Sequence, residues 1–197
     1  QVVADKFDAV GTIAAAEEIT VVSEIDATVL KLPFREGEPV RQGALLVQLD
    51  DAQYRAARGR AEALRDQAKT NFERMQSLMD KGAADKQQWD DASAALKVAQ
   101  ANLDLADDQL KKTRIVAPFS GVLGARQISP GAYLRSGTPV TTLAQLDEVK
   151  VNFAAPERFL GDLQRGAEVT VSTTAYPGEK LAGKIDVIEP VLDPVTR

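Results

Sequence analysis

The sequence predicts an α+β chain of several domains. A β-sandwich is split into two halves, an antiparallel α-helical coiled-coil hairpin is inserted between them, and an incomplete set of further β-strands follows. Three observations predict it: residues 22–49 repeat at 116–143, residues 51–112 carry two apolar heptad stripes and no proline, and residues 148–197 contain alternating, strand-like runs.

The repeat has an offset of 94 and needs no gap. Gly37 falls on Gly131, Arg41 on Arg135, Gly43 on Gly137 and Leu49 on Leu143. Five apolar matches accompany these identities: Ile25 with Phe119, Val29 with Leu123, Phe34 with Ile128, Val40 with Leu134, and Leu46 with Val140. Each copy reads as short strands (28–32 and 45–47; 122–126 and 140–143) broken by the turns 36–39 and 41–43 or 130–133 and 135–137. A half of about 30 residues is too small to bury a core alone, so the two halves are expected face to face with the apolar pairs inside.

Helix one shows Tyr54, Ala57, Ala61, Leu64, Ala68, Asn71, Met75 and Leu78 at alternating spacings of three and four. Helix two shows Trp89, Ala92, Leu96, Ala99, Leu103, Ala106 and Leu110 in the same rhythm. That is a heptad seam on each helix. The turn at 80–85 is short enough to make the helices antiparallel neighbours. Gly82 suits a left-handed cap, Asp85 an N-cap, and Gln88 the reciprocal position of a capping box. Lys111 and Lys112 suit the negative end of helix two. Two helices of about 28 residues would each be about 42 Å long, so the hairpin is expected to project beyond a small β body. Asp104 and Asp108 form a like-charged pair one turn apart that a basic neighbour in an assembly would relieve.

Composition narrows the function. The chain of 197 residues has no cysteine, no histidine and a net charge of −5. Thiol chemistry is excluded, the commonest general base and metal ligand are missing, and nucleic acid is not an expected partner. No run of about 18 apolar residues is present to span a membrane. Met75 and Met79 are two thioethers alone, better explained by packing than by a metal. No cofactor, metal or catalytic residue is expected.

The segment from Val29 to Asp50, the run Ala117-Pro118-Phe119-Ser120-Gly121-Val122, and Pro130-Gly131 with Ser136-Gly137 carry a resemblance. So do Val151 to Glu157, Gly166 to Val169, Gly183 to Ile185 and Asp193 to Arg197. In this order they resemble the periplasmic adaptor family, also called membrane fusion proteins or HlyD-like proteins. The resemblance implies a lipoyl-like sandwich and a β-barrel domain. It divides the chain into 1–14, an amino-terminal barrel strand; 15–50, the first lipoyl half-motif; 51–112, the hairpin; 113–147, the second half-motif; and 148–197, an incomplete barrel. Phe7 to Ile13 is expected to join strands at 169–173 and 184–188, and a short helix at 157–164 to plug the barrel. A complete barrel of the family has more strands and a membrane-proximal domain, so a piece of a longer protein is expected.

By the same resemblance the protein is a non-enzymatic adaptor. It would lie in the periplasm, attached to the inner membrane through a segment outside this chain. It would join a resistance-nodulation-division (RND) transporter to a TolC-like outer-membrane channel, self-associating as a hexameric ring. Adaptors of RND pumps carry Arg, three residues, Leu, six residues and Ser at the hairpin tip. Arg74, Leu78 and Asp85 fall at those spacings, with aspartate where the family has serine. They would contact the channel. Aspartate caps a helix as serine does, but it brings a carboxylate to the contact. An adaptor for an ABC or major-facilitator exporter, or for type I secretion, is the nearer alternative. A lipoyl or biotinyl carrier is the further one, because residues 51–112 replace the turn that would present the modified lysine.

Overall fold

The computed structural model of the chain describes residues 7–155, 159, 163–173 and 178–188. The chain divides into two compact units. One is Ala15–Val149; the other is made by the described parts of Gln1–Ala14 and Lys150–Arg197. In order, the elements are β1 (Gly11–Val22), β2 (Ala27–Lys31), β3 (Pro39–Val40), β4 (Leu45–Leu49), α1 (Ala52–Asp80), α2 (Lys86–Lys112), β5 (Arg114–Val116), β6 (Gly121–Leu123), β7 (Tyr133–Leu134), β8 (Pro139–Phe153), β9 (Glu168–Val171) and β10 (Leu181–Lys184).

The larger unit holds two four-stranded sheets, ordered β5-β4-β2-β7 and β1-β8-β6-β3. The offset of 94 carries the first order onto the second, strand for strand. Each half supplies a central pair to one sheet and two edge strands to the other, so neither half can complete a sheet without its partner. The hydrogen bonds obey the same rule. Gly131 N–H donates to Val29 O (2.8 Å) and Val29 N–H to Ala132 O (2.9 Å); Gly37 N–H donates to Leu123 O (2.9 Å) and Leu123 N–H to Glu38 O (3.1 Å). Gly37 and Gly131 have φ of 74° and 84°, a conformation that side-chain-bearing residues rarely adopt, which is why both copies keep glycine there.

All ten residues of the five apolar pairs lie in or against one core. Val29, Leu46, Val47, Leu49, Leu123, Leu134, Val140 and Leu143 are fully buried, four from each copy. Burying such side chains is worth roughly 1.5–3 kcal/mol each, and here it is available only when both halves are present.

The helices lie antiparallel. Arg58 Nε donates to Asp107 Oδ1 at 2.6 Å, and Trp89 Nε1 donates to Gln76 Oε1 at 2.6 Å. Arg58 to Gln76 is 18 residues forward and Asp107 to Trp89 is 18 back, so one register holds along both helices. On α2 the expected seam is the observed one: Ala92, Leu103 and Ala106 are buried, and Trp89, Leu96, Ala99 and Leu110 half-buried.

On α1 the expectation needs correction. Ala57, Leu64 and Asn71 are exposed, and the half-buried face runs through Tyr54, Arg58, Ala61, Arg65, Ala68, Phe72, Met75 and Met79. Four expected positions, Tyr54, Ala61, Ala68 and Met75, are kept; the others move by one residue, although Leu78 also stays half-buried. Arg58 on Asp107 and Phe72 on Trp89 set this phase, and Tyr54, common to both stripes, anchors the start of α1. Tyr54 packs against the β core and donates its hydroxyl to Asp26 O at 2.8 Å. Near the tip, Phe72 meets Trp89 with ring centroids 5.8 Å apart. Between them, Arg58 and Arg65 lay apolar stems along the seam; Arg58 donates to Asp107 and Glu62, and Arg65 Nε is buried 3.0 Å from Asp66 Oδ1.

The smaller unit pairs β9 with β10, Val171 opposite Leu181 and Glu168 opposite Lys184. Phe7 stacks on Phe159 with centroids 4.7 Å apart. Phe7 to Ile13 does not join these strands as expected. Residues 7–10 are not in a strand, and β1, which begins at Gly11, neighbours β8. The reason is close packing. A Cβ on Gly11 would lie 2.9 Å from Asn152 O, so glycine allows this ribbon to close. Of the expected helix at 157–164, only Phe159, Leu163 and Gln164 are among the described residues, and 193–197 lie outside them.

Candidate functional site

The hairpin tip is built from the last turns of α1, the turn at 81–85 and the first turn of α2. Gly82, with φ of 69°, ends α1. Its N–H donates to Met79 O at 2.9 Å, and Ala83 N–H donates to Leu78 O at 2.8 Å, which satisfies two terminal carbonyls. Asp85 opens α2 with a complete capping box. Its Oδ1 accepts from Gln88 N–H at 2.8 Å, and Gln88 Oε1 accepts from Asp85 N–H at 3.4 Å. The carboxylate also sits at the positive end of the helix dipole.

Beneath the tip, Gln76 makes one bond across to α2 and one along α1. It accepts from the Trp89 indole and donates from Nε2 to Asp80 Oδ1 at 3.0 Å. Sequence reasoning missed Gln76 and Phe72. The signal was available in their spacing from Arg65 and Met79, once the arginines are allowed on the seam.

Arg74 and Leu78 are one turn apart on the same side of α1. Arg74 is exposed and makes no hydrogen bond or ion pair among the described residues; Leu78 is half-buried. Asp85 is exposed across the turn, with Oδ1 held by the cap. No hydrogen bond joins the three to one another among the described residues.

The hairpin base is tied to the sandwich by charge. Lys112 Nζ lies 2.8 Å from Asp108 Oδ2 and 3.3 Å from Glu24 Oε2. Hydrogen bonding to Asp108, then to Glu24, holds the Lys112 ammonium above the ordinary lysine value. Higher up, hydrogen bonding to Asp107 and the charge of Glu62 raise Arg58 likewise. Among the described residues no cluster of three or more histidine, cysteine, aspartate or glutamate side chains could hold a metal. No helix there is long and apolar enough to cross a membrane.

Comparison with known proteins adds a family context. Residues 17–146 match the RND MFP barrel-sandwich hybrid domain, and residues 148–197 match the CusB-like β-barrel domain. The multidrug resistance protein MdtA of Photorhabdus laumondii is 34% identical over 163 residues, 75% of this chain and 41% of that protein. MdtA of Yersinia pestis is 33% identical over 179 residues, 81% of this chain and 40% of that protein. The chain thus spans about two fifths of the length of these curated relatives. Among solved structures, a MacA-MexA chimera containing the Pseudomonas aeruginosa MexA α-hairpin domain is similar, with a TM-score of 0.79 and 25% identity. That match covers 92% of this chain and 66% of the chimera. A putative efflux transporter from Bacteroides eggerthii shares the fold with a TM-score of 0.75 at 21% identity, covering 87% of this chain and 53% of that one.

Proposed function

Because the chain belongs to the RND membrane fusion protein family, matched over residues 17–146, we propose that it is the periplasmic adaptor of a tripartite efflux pump. It links an inner-membrane RND transporter to a TolC-like outer-membrane channel, and is held at the inner membrane by a segment outside this chain. Residues 51–112 act as a coiled-coil arm. Residues 15–50 and 113–147 form the lipoyl-like body that assembles into a ring. Residues 1–14 and 148–197 contribute a barrel facing the transporter. The work is coupling and sealing, without bond chemistry.

The observation that carries this reading is the tip. Arg74 is an exposed cation with no partner among the described residues, one turn from Leu78, on a scaffold fixed by the Asp85 capping box and the Gln76–Trp89 bond. Such a rigid end with unspent contacts suits docking on the helical ends of a channel. Asp85 does double duty: one carboxylate oxygen caps α2 while the other is left for the partner.

The test is resistance of cells that depend on the whole protein. Arg74→Asp and Leu78→Ser should each abolish it while circular dichroism and protein level stay unchanged. Asp85→Ser keeps the cap and should lose less than either. Resistance retained by both Arg74→Asp and Leu78→Ser rejects the tip assignment.

A further inference from the structure

Near the tip, one side chain of α2 grips a single row of α1. Phe72, Gln76 and Asp80 stand four residues apart and so line one strip of that helix. Trp89, early in α2, sets its ring with its centroid 5.8 Å from that of Phe72 and donates its indole N–H to Gln76 Oε1 at 2.6 Å. Gln76 Nε2 in turn donates to Asp80 Oδ1 at 3.0 Å. Both ends of the amide are engaged, the second by a carboxylate, so the amide is held in one orientation. A half-buried indole N–H needs such an acceptor.

This bond decides which way the tip residues face. Successive residues turn about 100° around an α-helix. Arg74 and Leu78 each stand two residues from Gln76, so each lies about 160° around α1 from it. Tying Gln76 to α2 therefore turns Arg74 and Leu78 to the other side of α1, where Arg74 is exposed. The competing stripe on α1 runs through Asn71, Met75 and Leu78. In that rotation Leu78 would enter the seam, Arg74 would move to its edge, and Gln76 would leave Trp89. Apolar contact has no direction, so packing alone separates the two rotations weakly. A hydrogen bond is directional and chooses between them.

We propose that Gln76 and Trp89 are positioning residues of the tip: their bond selects the rotation of α1 that leaves Arg74 and Leu78 free for a partner. Phe72 supplies burial and the indole N–H supplies direction. The end of α1 thus has two rotations, one able to dock and one with Leu78 withdrawn into the seam. This role rests on the tip being the docking end, and it names what aims that end.

The test is made in the whole protein. Gln76→Leu keeps bulk and removes the acceptor; Trp89→Phe keeps a ring for Phe72 and removes the donor. Each should lower resistance at least about fourfold, with protein level and helical dichroism unchanged. Gln76→Glu still accepts from the indole and should recover resistance to within about twofold of native. Rotation is read separately, in purified protein without a channel, by maleimide labelling. The chain has no cysteine of its own, so one introduced thiol reports one position, with the parent protein as blank. Asn71→Cys is exposed in this rotation, Met79→Cys is half-buried, and Met75→Cys lies on both stripes. Adding Gln76→Leu should slow Asn71→Cys and speed Met79→Cys, each about threefold, and leave Met75→Cys unchanged. Faster labelling at all three positions means fraying, a merely structural role, and overturns the proposal; unchanged rates overturn it too. Arg74→Asp tells the two ideas apart, since it should lose resistance without altering any labelling rate. If the rates shift as expected while Arg74→Asp keeps resistance, tip docking is rejected and the rotational lock stands. If the rates do not shift while Arg74→Asp loses resistance, the lock alone is rejected.

Discussion

The carboxylate of Asp26 accepts a hydrogen bond from Ser136 N–H at 2.7 Å, and 94 residues further on Ser120 Oγ accepts from Gln42 N–H at 2.9 Å. The return bonds match as well. Ser136 Oγ donates to Glu24 O at 3.0 Å, and Gln42 Nε2 donates to Pro118 O at 2.9 Å. The residue types differ between copies while the bonds are kept. Each pair bridges the two halves of the sandwich.

Asp26→Ala should cost about 1 kcal/mol, the net worth of one such bond at an exposed site. Ser120→Ala should cost no more, and the double variant should be additive because the sites are separate. Urea unfolding of the single and double variants checks both statements.

Two glycines should respond with opposite signs. A Cβ on Gly121 would lie 2.5 Å from the backbone oxygen of Ala144 in the β6–β8 ladder. Gly121→Ala should therefore destabilise by about 1–3 kcal/mol as the strands are forced apart. Gly59 lies within α1 with open space around it, and Gly59→Ala should stabilise by about 0.5–1 kcal/mol. Thermal melts of both variants decide the matter.

The corrected seam predicts an order of costs on α1. Phe72→Ala should lose about 2 kcal/mol or more, since its ring is packed on Trp89. Leu64→Ala should change stability by only about 0.5 kcal/mol, as expected of a surface position. Equal losses in hydrogen exchange protection along the hairpin would restore the seam first expected from the heptads.

Lys112 predicts an alkaline effect. Its proton is held more tightly in the folded chain, beside Asp108 and Glu24, so its contribution is fully present below the ordinary lysine value of about 10.4 and is lost as pH rises through the raised value. The difference in urea midpoint between the native chain and Lys112→Gln should therefore stay level up to about pH 10 and shrink between about pH 10 and about pH 12. A difference that stays constant over that range would mean the lysine acts through its stem rather than its charge.

Much of this was legible because it was written twice or at fixed intervals. The offset repeat named ten core residues before any strand was placed. The second helix was read correctly because its apolar residues form a single stripe, and Asp85 with Gln88 announced the start of α2. The tip residues were legible only through family resemblance, since nothing in their types distinguishes a docking surface from a solvated helix end.

Sequence by itself determined the two-copy sandwich, the insertion and its turn, because glycine positions, apolar spacing and cap chemistry each admit one arrangement. Tertiary structure alone decided how α1 is turned and where β1 pairs. On α1 two stripes, one through Ala57 and Leu64 and one through Arg58, Arg65 and Phe72, share Tyr54, Ala61, Ala68 and Met75, so local pattern cannot choose between them. The choice is made by contacts distant in sequence: Arg58 on Asp107 and Phe72 on Trp89.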